Sequence, residues 1–493
     1  MNWRIRSLDA ILATAQKKSL TRSLGPFQLT MLGIGGTIGT GIFVLTAEAA
    51  TKAGPAMMIS FAIAGFVCAL TALAYSEIAA MIPVSGSAYT YSYATFGEVP
   101  AWIVGWALVL EYAIASSAVA VGWSGYMVGL AKRFAGIEIP PTFVHGPFDK
   151  VPGLINLPAL FIALAMAALL LVGTKESARF NSVLVSIKIV VLIMFLALAL
   201  PAIQSGNFHP FMPRGFFAHE IANPFGDHSM ISVGVSAAAE TIFFAFVGFD
   251  AVSTAAEETI NPNRNIPIGL IGALVISTVL YMLVATAATG SVGADPVGPL
   301  ARSDEALAYV LRAIHYPAAG NVLAIAAVVA LPSVILALMY GQTRIFFVMA
   351  RDGLLPPVLS RIHPKFHTPH VITILTGVFV AVFASLFPVA SLAEVSNSGT
   401  LLAFLAVAIA VMVLRVRDPG RHRPFRTPLV WVVAPTAAAG CTFLFFSLSN
   451  YTLLLFVGWA AIGLVFYFFY GRTRSNVARG VLTTEDAAAE LLP

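Results

Sequence analysis

Long apolar segments, separated by short polar stretches, make up most of this chain. A helix needs about 20 mostly apolar residues to cross a bilayer, and segments of that kind recur along the sequence. Twelve of them lie near residues 27–50, 56–82, 98–130, 156–173, 180–201, 230–256, 267–291, 319–349, 370–388, 392–414, 428–448 and 451–470. The pattern predicts an all-α integral membrane protein with twelve transmembrane helices, because a helix satisfies its own backbone hydrogen bonds in lipid.

The composition agrees with a bilayer environment. Of the 493 residues, 58% are hydrophobic and only 10% are charged, whereas soluble globular chains average about 25% charged residues. Cys68 and Cys441 both lie inside apolar segments, so neither a disulfide framework nor a metal site is expected. The first twenty residues are basic and lack a continuous apolar stretch, which favours a short interfacial helix over a removable signal peptide.

Lysine and arginine residues concentrate in the polar stretches of one side. If both termini are cytoplasmic, the cytoplasmic segments collect twenty of the 28 Lys and Arg residues, the opposite side has seven, and Lys188 lies within a span. Cytoplasmic loops of membrane proteins carry such an excess. The asymmetry predicts a multi-pass protein of the plasma (bacterial inner) membrane with both termini cytoplasmic. The net charge of +5 is thereby explained without nucleic-acid binding.

Two of the predicted spans are interrupted by glycine. Residues 32–43 contain five glycines within nine positions, and each costs about 1 kcal/mol in a helix interior. Residues 245–253 place Gly248 and Asp250 among aromatic side chains. These are the first and sixth spans, which correspond to each other if helices 1–5 and 6–10 are inverted repeats. Broken helices at matching places indicate a transporter's binding site; the alternative is that small residues let helices pack closely.

Three ionisable residues lie at predicted membrane depth, where each costs about 2.5–3.5 kcal/mol on insertion scales. Glu111 lies in the third span, Lys188 in the fifth and Asp250 in the sixth. Each has a structural alternative. Glu111 could be neutral and hydrogen-bonded to a neighbouring helix, Asp250 could cap the second half of its helix, and Lys188 could extend to the interface.

Broken helices would expose the groups that recognise an amino acid. Free N–H groups attract a carboxylate, and free C=O groups attract an ammonium. The first break can supply N–H groups around Thr40 and Gly41, and the second can supply carbonyls near Phe244, Ala245 and Val247. An amino acid carries both charges, so the two breaks together predict an amino acid substrate.

The ionisable residues complete this hypothesis. Glu111 and Asp250 would tune the recognition of a side chain or hold water in the pocket. Lys188 would bind and release a proton during transport, a common role of buried ionisable groups in transporters, and its positive charge would disfavour a nearby sodium ion. The alternative is a structural lysine that ties the first span to the eighth through backbone carbonyls.

The remaining polar features indicate no further chemistry. Three glutamates flank the sixth span and are expected to face the interface or a loop: Glu240, Glu257 and Glu258. The tract HPKFHTPH is broken by proline and lies in a predicted loop, so we predict no metal site at its histidines, His363, His367 and His370. No phosphate-binding loop of the G-x-x-x-x-G-K-[ST] type occurs. Neither an ATP-driven pump nor an enzyme is expected, and no cofactor is predicted.

Four stretches together resemble the amino acid–polyamine–organocation superfamily, and within it bacterial-type members of the cationic amino acid transporter family. They are GIGGTIGTGIFV, AMIPVSGSAYTYSYATFGEVPAWIVGW, FFAFVGFDAVSTAAEETINPNRNIPIG and YGQTRIFFVMARDGLLP. The resemblance covers residues 20–470. It implies a LeuT-type fold of two inverted five-helix repeats with helices 1 and 6 broken, plus two further helices, and alternating access around a central site.

The resemblance also implies roles for matching residues. In the family, the substrate carboxylate binds to the backbone of the unwound part of helix 1, which here is Thr37, Ile38, Gly39, Thr40 and Gly41. The amino group binds to the backbone of helix 6, which here is Phe244, Ala245 and Val247. Acidic residues of helices 3 and 6 match Glu111 and Asp250. A lysine that stands where sodium-coupled relatives bind an ion matches Lys188.

The chain is therefore expected to divide into seven parts. These are a cytoplasmic N-terminal segment (1–26), a first five-helix repeat (27–201), an extracytoplasmic loop (202–229), a second, inverted five-helix repeat (230–415), a basic cytoplasmic loop (416–427), helices 11 and 12 (428–471) and a cytoplasmic tail (472–493).

One departure from the family bears on the substrate. Animal members that carry arginine or lysine have additional helices, and here the eighth span is apolar around Leu338 and Met339, with no partner for a guanidinium. The sequence therefore favours a proton-coupled symporter of small or medium neutral L-amino acids, such as alanine, in contact with membrane lipids and with or without a small membrane subunit. The alternatives are a cationic amino acid transporter, an uncoupled amino acid or amine exchanger, and a channel or sensor.

Overall fold

The computed structural model describes Arg22 and residues 24–84, 86–149, 151–172, 178–224, 230–364 and 368–479. Within these ranges the chain is helical apart from its loops, one isolated bridge and a two-stranded antiparallel sheet of β1 (His219–Ala222) and β2 (Met230–Val233). The predicted interfacial helix of the first twenty residues, His367 and most of the predicted C-terminal tail lie outside the described residues.

The α-helices follow one another with short connections. They are α1 (Pro26–Thr37), α2 (Thr40–Phe43), α3 (Leu45–Ala53), α4 (Met57–Met81), α5 (Ser87–Phe96), α6 (Glu98–Ala135), α7 (Leu157–Val172), α8 (Ala178–Ala199), α9 (Val235–Phe243), α10 (Ala251–Thr254), α11 (Pro262–Val292), α12 (Ala306–Ala313), α13 (Pro317–Arg351), α14 (His370–Leu386), α15 (Val389–Arg417), α16 (Val430–Phe445), α17 (Asn450–Phe466) and α18 (Arg472–Arg474). A π-helix, Tyr467–Gly471, joins the last two. Short 3-10 helices cover Gly54–Ala56, Pro141–Phe143, Leu200–Ala202, Ser205–Phe208, Phe244–Phe246, Ala256–Glu258, Leu300–Arg302 and Pro357–Ser360.

Eight helical segments of the described chain are long and apolar enough to cross a membrane. They are Leu45–Met81, Glu98–Ala135, Ser182–Ala202, Val235–Thr254, Pro262–Val292, Pro317–Arg351, Val389–Arg417 and Asn450–Arg474. Three shorter apolar helices, α7, α14 and α16, accompany them. The prediction of a helical, multi-pass membrane protein is confirmed, and the count of twelve spans stays a prediction.

The longest helix, α6, lies at the centre of the helix packing. It packs along α13 and α15, while α11 packs against α1 and α4. Large apolar side chains cover the outer surface instead of polar ones, as Phe161 (65% exposed), Val190 (62%) and Phe469 (85%) illustrate. An outer surface of this kind suits lipid contact. The arrangement brings α2, within the first interrupted segment, against the central helix α6, and the Tyr112 hydroxyl of α6 reaches Asp250 beside the second.

A buried carboxylate ties the end of α15 and the basic loop after it to α4. Glu77 is fully buried, and the Arg415 guanidinium donates to both of its oxygens at 2.7 and 2.8 Å. The Arg423 guanidinium lies 3.2 Å from the same carboxylate, and the Thr427 backbone N–H donates to it at 2.7 Å. Two cations balance one buried anion here, so this part of the basic loop is held firmly against the helices.

Candidate functional site

The first helical interruption lies where the glycine pattern predicts it. Helix α1 ends at Thr37, and the backbone of Ile38 is extended, with φ −74° and ψ 94°. Gly39, at φ −148° and ψ −147°, precedes the single turn α2. Because the helix is interrupted, the first N–H groups of α2, at Thr40 and Gly41, have no carbonyl one turn earlier to which they could bond.

The second interruption follows α9. The chain narrows to a 3-10 turn over Phe244–Phe246, then Val247 is extended at φ −59° and ψ 134°. Gly248 has φ +107°, a conformation that favours glycine. Helix α10 begins at Ala251. Both predicted breaks therefore exist as local backbone geometry, and neither is a Pro kink.

The two breaks touch each other through their backbones. A Cβ atom on Gly41 would lie 2.3 Å from the Ala245 Cα, and a Cβ on Gly248 would lie 2.8 Å from the Gly36 carbonyl carbon. Only glycine permits this approach without displacing backbone. The glycines therefore accompany the breaks and also let the broken segments pack against each other. That the breaks form a transporter's binding site stays a prediction.

A small buried cavity opens between the two breaks. Its cavity volume is about 10 Å³, roughly the room for one water molecule, and it is lined by Gly36, Thr37, Gly39, Thr40, Gly41, Ala115, Val119, Phe244, Val247, Val334 and Leu338. Apart from the two threonines, all the lining side chains are apolar. The Thr37 hydroxyl donates to the Gly33 carbonyl at 2.6 Å, but the fully buried Thr40 hydroxyl has no partner among the described residues. An unpaired buried hydroxyl points to a group that the cavity would receive.

Two carbonyl groups of the second break each accept one hydrogen bond from the protein. The Phe244 carbonyl accepts from the Val247 N–H at 3.1 Å, and the Ala245 carbonyl accepts from the Tyr281 hydroxyl at 3.0 Å. A carbonyl oxygen has two lone pairs, so each can accept a second hydrogen bond. Ala245 packs against Gly41 but does not line the cavity, and Ile38 does not line it either, whereas Phe244 and Val247 do.

Tyr281 of α11 links both breaks, although no sequence pattern singled it out. Its hydroxyl lies 2.8 Å from the Thr37 carbonyl and 3.0 Å from the Ala245 carbonyl. One hydroxyl has one hydrogen, so the two carbonyls share a single donor. The ring is fully buried and packs edge-on against Phe61 and Phe246. The only signal in the sequence is a lone hydroxyl-bearing ring within an apolar span.

Glu111 and Asp250 lie near each other and outside the lining of the cavity. The Tyr112 hydroxyl donates to Asp250 Oδ2 at 2.9 Å, and the two carboxylates are near enough to influence each other electrostatically. The Asp250 side chain makes no capping bond to α10. Neither carboxylate oxygen of Glu111 has a hydrogen bond of ordinary geometry among the described residues, although the Thr400 hydroxyl is nearby. Both side chains are buried, at 0% and 1% exposure.

Lys188 contacts the first broken helix two residues before its end at Thr37. Its Nζ donates to the Gly35 carbonyl at 3.0 Å, and its side chain is 1% exposed. Within the described residues, no carboxylate pairs with this amine. The side chain therefore does not extend to the interface, and its bond to α1 places it beside the break that ends at Gly39.

Glu240 does not face the interface as the sequence suggested. It lies in α9 at 1% exposure and accepts from Asn397 Nδ2 of α15 at 3.0 Å. The expectation failed because a nine-residue half-helix buries every side, so its position near the end of a span says little about exposure. Glu258 does lie near the surface, 3.3 Å from the Arg344 guanidinium. The side chain of Glu257 is not among the side chains that the structure describes.

Comparison with known proteins adds independent findings. Residues 24–470 match the family model described as amino acid permease. The branched-chain amino acid permease BcaP of Bacillus subtilis (strain 168) is 44% identical over 472 residues, which cover 95% of this chain and 97% of that protein. The methylthioribose transporter of the same organism is 42% identical over 474 residues, covering 96% and 98%. The vacuolar cationic amino acid transporter 4 of Arabidopsis thaliana is 36% identical over 403 residues, covering 81% of this chain and 64% of that protein.

Proposed function

The chain belongs to the amino acid permease family, as its motifs predicted, and from that premise we propose that it is a secondary active transporter that moves neutral L-amino acids together with protons. The proposal includes a LeuT-type arrangement of twelve spans with two inverted five-helix repeats. Alternating access takes place around the cavity between the two breaks, in a bacterial inner membrane with both termini cytoplasmic.

The cavity between the breaks is the observation that carries this proposal. The substrate carboxylate binds the N–H groups of Thr40 and Gly41 and the unpaired Thr40 hydroxyl. The ammonium group donates to the carbonyls of the second break, at Phe244 and Val247. The carboxylate and the ammonium group of the substrate both bind mainly to backbone groups, and every amino acid carries these two groups. The remaining residues of the cavity lining therefore select the side chain of the substrate.

The lining favours an apolar substrate side chain. Ala115 and Val119 of α6 and Val334 and Leu338 of α13 present only hydrocarbon to the cavity. A guanidinium or ammonium placed there would lose its hydration without a charged partner, which is costly. The proposed substrates therefore range from alanine to the branched-chain amino acids, the latter being named for the Bacillus subtilis permease.

Proton coupling is proposed to act through Lys188. Its bond to the Gly35 carbonyl joins α8 to α1 beside the break. A charged donor makes a stronger hydrogen bond than a neutral one, so loss of the proton would loosen α8 from the broken helix. Uptake of a proton and closure of the helix around the substrate would then favour each other.

Transport by purified protein in liposomes tests the proposal. Uptake of radiolabelled alanine, leucine and arginine is followed with and without an imposed inward proton gradient, for the native chain and for Lys188→Ala. Lys132→Ala is the matched control, because that lysine side chain is 66% exposed in the last turn of α6. Unlabelled methylthioribose is added as a competitor, since one relative carries that substrate in its name.

We expect alanine and leucine uptake that collapses when the gradient is dissipated and in Lys188→Ala, but not in Lys132→Ala. Uptake that is indifferent to the gradient and to Lys188 would establish an uncoupled exchanger instead. Arginine uptake without alanine uptake would overturn the neutral substrate. Competition by methylthioribose with no uptake of any amino acid would overturn the whole substrate class.

A further inference from the structure

A second group of buried charges lies on the side predicted to be extracytoplasmic, apart from the substrate cavity. Lys52 at the end of α3, Glu240 of α9 and Glu394 of α15 are 5%, 1% and 9% exposed. Lys52 Nζ is ion-paired to Glu394 Oε1 and donates to the Thr241 hydroxyl at 2.7 Å. One cation therefore faces two carboxylates in a place from which water is largely excluded.

Glu394 is held as an anion. Besides the Lys52 ammonium at Oε1, its Oε2 accepts from the Ser449 hydroxyl at 2.8 Å and from the Thr452 hydroxyl at 3.2 Å. Both hydroxyls come from the start of α17 and the turn before it. Each carboxylate oxygen of Glu394 thus has a hydrogen-bond donor, and the donor at Oε1 is charged. The Glu394 anion therefore neutralises Lys52, the only cation of the three residues.

Glu240 is left without a cation of its own. Asn397 Nδ2 donates to its Oε1 at 3.0 Å and to its backbone carbonyl at 2.6 Å. Its Oε2 has only the Thr241 hydroxyl at 3.4 Å, and that hydroxyl lies closer, at 3.1 Å, to the Ala237 carbonyl. A buried carboxylate with one neutral donor and a negative neighbour is the group of the three that a proton would stabilise most.

A buried acceptor beside it also lacks a hydrogen. Asn397 is fully buried, and its amide oxygen has no partner among the described residues. The cluster therefore has more acceptors than donors, because both carboxylates, the amide oxygen and the threonine oxygen compete for few hydrogens. One additional hydrogen would correct both the surplus of negative charge and the shortage of donors.

No other cation in the described structure compensates Glu240. Four neighbouring helices pack against α9 or its ends, and their charged side chains are few. Helix α3 contributes Lys52 and Glu48, and α15 contributes Glu394 and, far from it at its other end, Arg415 and Arg417. Helix α4 contributes Glu77, which is paired with Arg415 and Arg423. Helix α16 contains no charged residue. Glu48, one turn before Lys52, adds negative charge.

We propose that the Lys52–Glu240–Glu394 cluster is a proton-binding site of this protein, with the proton carried by the Glu240 carboxyl group. One proton from the solvent binds the Glu240 carboxylate. The three members of the cluster then have no net charge, because the positive charge of Lys52 is compensated by Glu394. This site is distinct from Lys188, which lies beside the cytoplasmic half of the first break.

The position of the cluster links proton binding to movement. Helix α3 follows the first break by way of the single turn α2 and Val44, and Glu240 precedes Phe244 of the other break by one turn. If the predicted extracytoplasmic side opens by movement of α3 and α9 relative to α15, Lys52 separates from Glu394 and water reaches Glu240. Proton binding and opening then influence each other by linkage. This consequence rests on the proposed transport function, whereas proton binding itself does not.

The proton is observed directly, without transport, by infrared difference spectroscopy of the purified full chain as pH is varied. A protonated carboxyl group has a C=O stretching band that a carboxylate lacks. In Glu240→Gln we expect the loss of one such band. In Glu394→Gln, removal of the neighbouring negative charge should move the midpoint of that band to lower pH by at least about one unit, a tenfold change in proton affinity. Glu138→Gln, at an exposed loop position, should leave the spectrum unchanged.

Two results would overturn the proposal: a native set of bands in Glu240→Gln, or a midpoint in Glu394→Gln that stays in place or moves to higher pH. If Glu240→Gln does not fold, Glu394→Gln carries the test alone. Lys188→Ala separates this proposal from the proposed function, because it should lose gradient-driven uptake and yet retain the Glu240 band. A retained band with no transport in the native chain would refute the function and leave the proton site standing.

Discussion

Single polar atoms decide what the central cavity can hold. The Thr40 hydroxyl is unpaired and fully buried, while the Thr37 hydroxyl, three residues earlier, is satisfied within its own helix. The sequence pattern pointed to both threonines as site residues. It could not show which hydroxyl is unpaired, because that depends on which threonine lies beyond the helical interruption. The same limit applies to Glu111 and Asp250, whose place within apolar segments indicated burial but not that they would lie outside the cavity lining.

Tyr281 provides the sharpest prediction at the scale of one residue. Tyr281→Phe removes the donor that the Thr37 and Ala245 carbonyls share, so both broken helices lose a common tether. We expect the free energy of unfolding to fall by about 1 kcal/mol and the transport rate to fall at least about tenfold, a change that corresponds to 1.4 kcal/mol in the barrier. Thermal unfolding in detergent and uptake in liposomes measure the two effects.

Tyr467→Phe is the control for Tyr281→Phe. That hydroxyl donates to Glu98 at 2.8 Å, far along the chain from either break. We expect a comparable loss of stability without the loss of transport. Equal transport by both variants would show that Tyr281 has no role beyond packing.

His145 gives a prediction on pH dependence outside the membrane spans. Its ring lies 2.9 Å from Asp149 in the loop after α6, and this hydrogen bond raises the pKa of His145. A raised pKa in the folded state means that the protonated form is stabilised by folding. The stabilisation is therefore complete below the unfolded pKa of about 6.5 and is lost as the pH rises through the folded value.

We expect the melting temperature of the native chain to decline as pH rises above about 6.5. The underlying loss in the free energy of unfolding is on the order of 1 kcal/mol or less, since the pair is partly exposed. His145→Gln should flatten this part of the stability curve. His219→Gln, at an exposed strand position, should leave it as in the native chain. A native curve that is already flat, or that rises over this range, would contradict the assignment.

At the scale of elements, the interruptions were predictable and their contacts were not. Five glycines in nine residues cannot favour a continuous helix, whatever the surroundings, so composition alone indicates the first break. Which backbone each glycine meets depends on the packing of distant segments, as with Gly41 and Ala245, 204 positions further on. The Lys52–Glu240–Glu394 cluster escaped prediction for the same reason, because its members come from three separate helices.

Gly41→Ala tests the contact between the two breaks. The added methyl group would lie 2.3 Å from the Ala245 Cα, and backbone cannot rotate away as a side chain can. We expect destabilisation of about 1–3 kcal/mol, typical of an overpacked core, together with loss of transport. Thermal unfolding and uptake of labelled alanine are the measurements.

The matched control for Gly41→Ala is Gly458→Ala in α17. A Cβ at this position would meet no atom within 4 Å, so the substitution should be neutral or stabilise the helix by up to about 1 kcal/mol. If both substitutions proved neutral, the two breaks would not be in backbone contact, and the cavity between them would lose its basis.

At the scale of the whole molecule, the distribution of Lys and Arg residues predicts the orientation in the membrane. Five predicted spans, the sixth to the tenth, separate the loop at 202–229 from the basic loop at 416–427. An odd number of crossings places the two loops on opposite sides. The structure offers an open position in each loop, because a Cβ on Gly206 or on Gly420 would meet nothing within 4 Å.

Gly206→Cys and Gly420→Cys therefore report on orientation with little disturbance of the fold. The native cysteines, Cys68 and Cys441, are 0% and 1% exposed, so they contribute little background. With a membrane-impermeant maleimide on intact cells, we expect Gly206→Cys to be labelled and Gly420→Cys to be labelled only after permeabilisation. The reverse result would invert the predicted orientation. Labelling of both from the same side would mean that an even number of spans lies between them, which two inverted five-helix repeats do not allow.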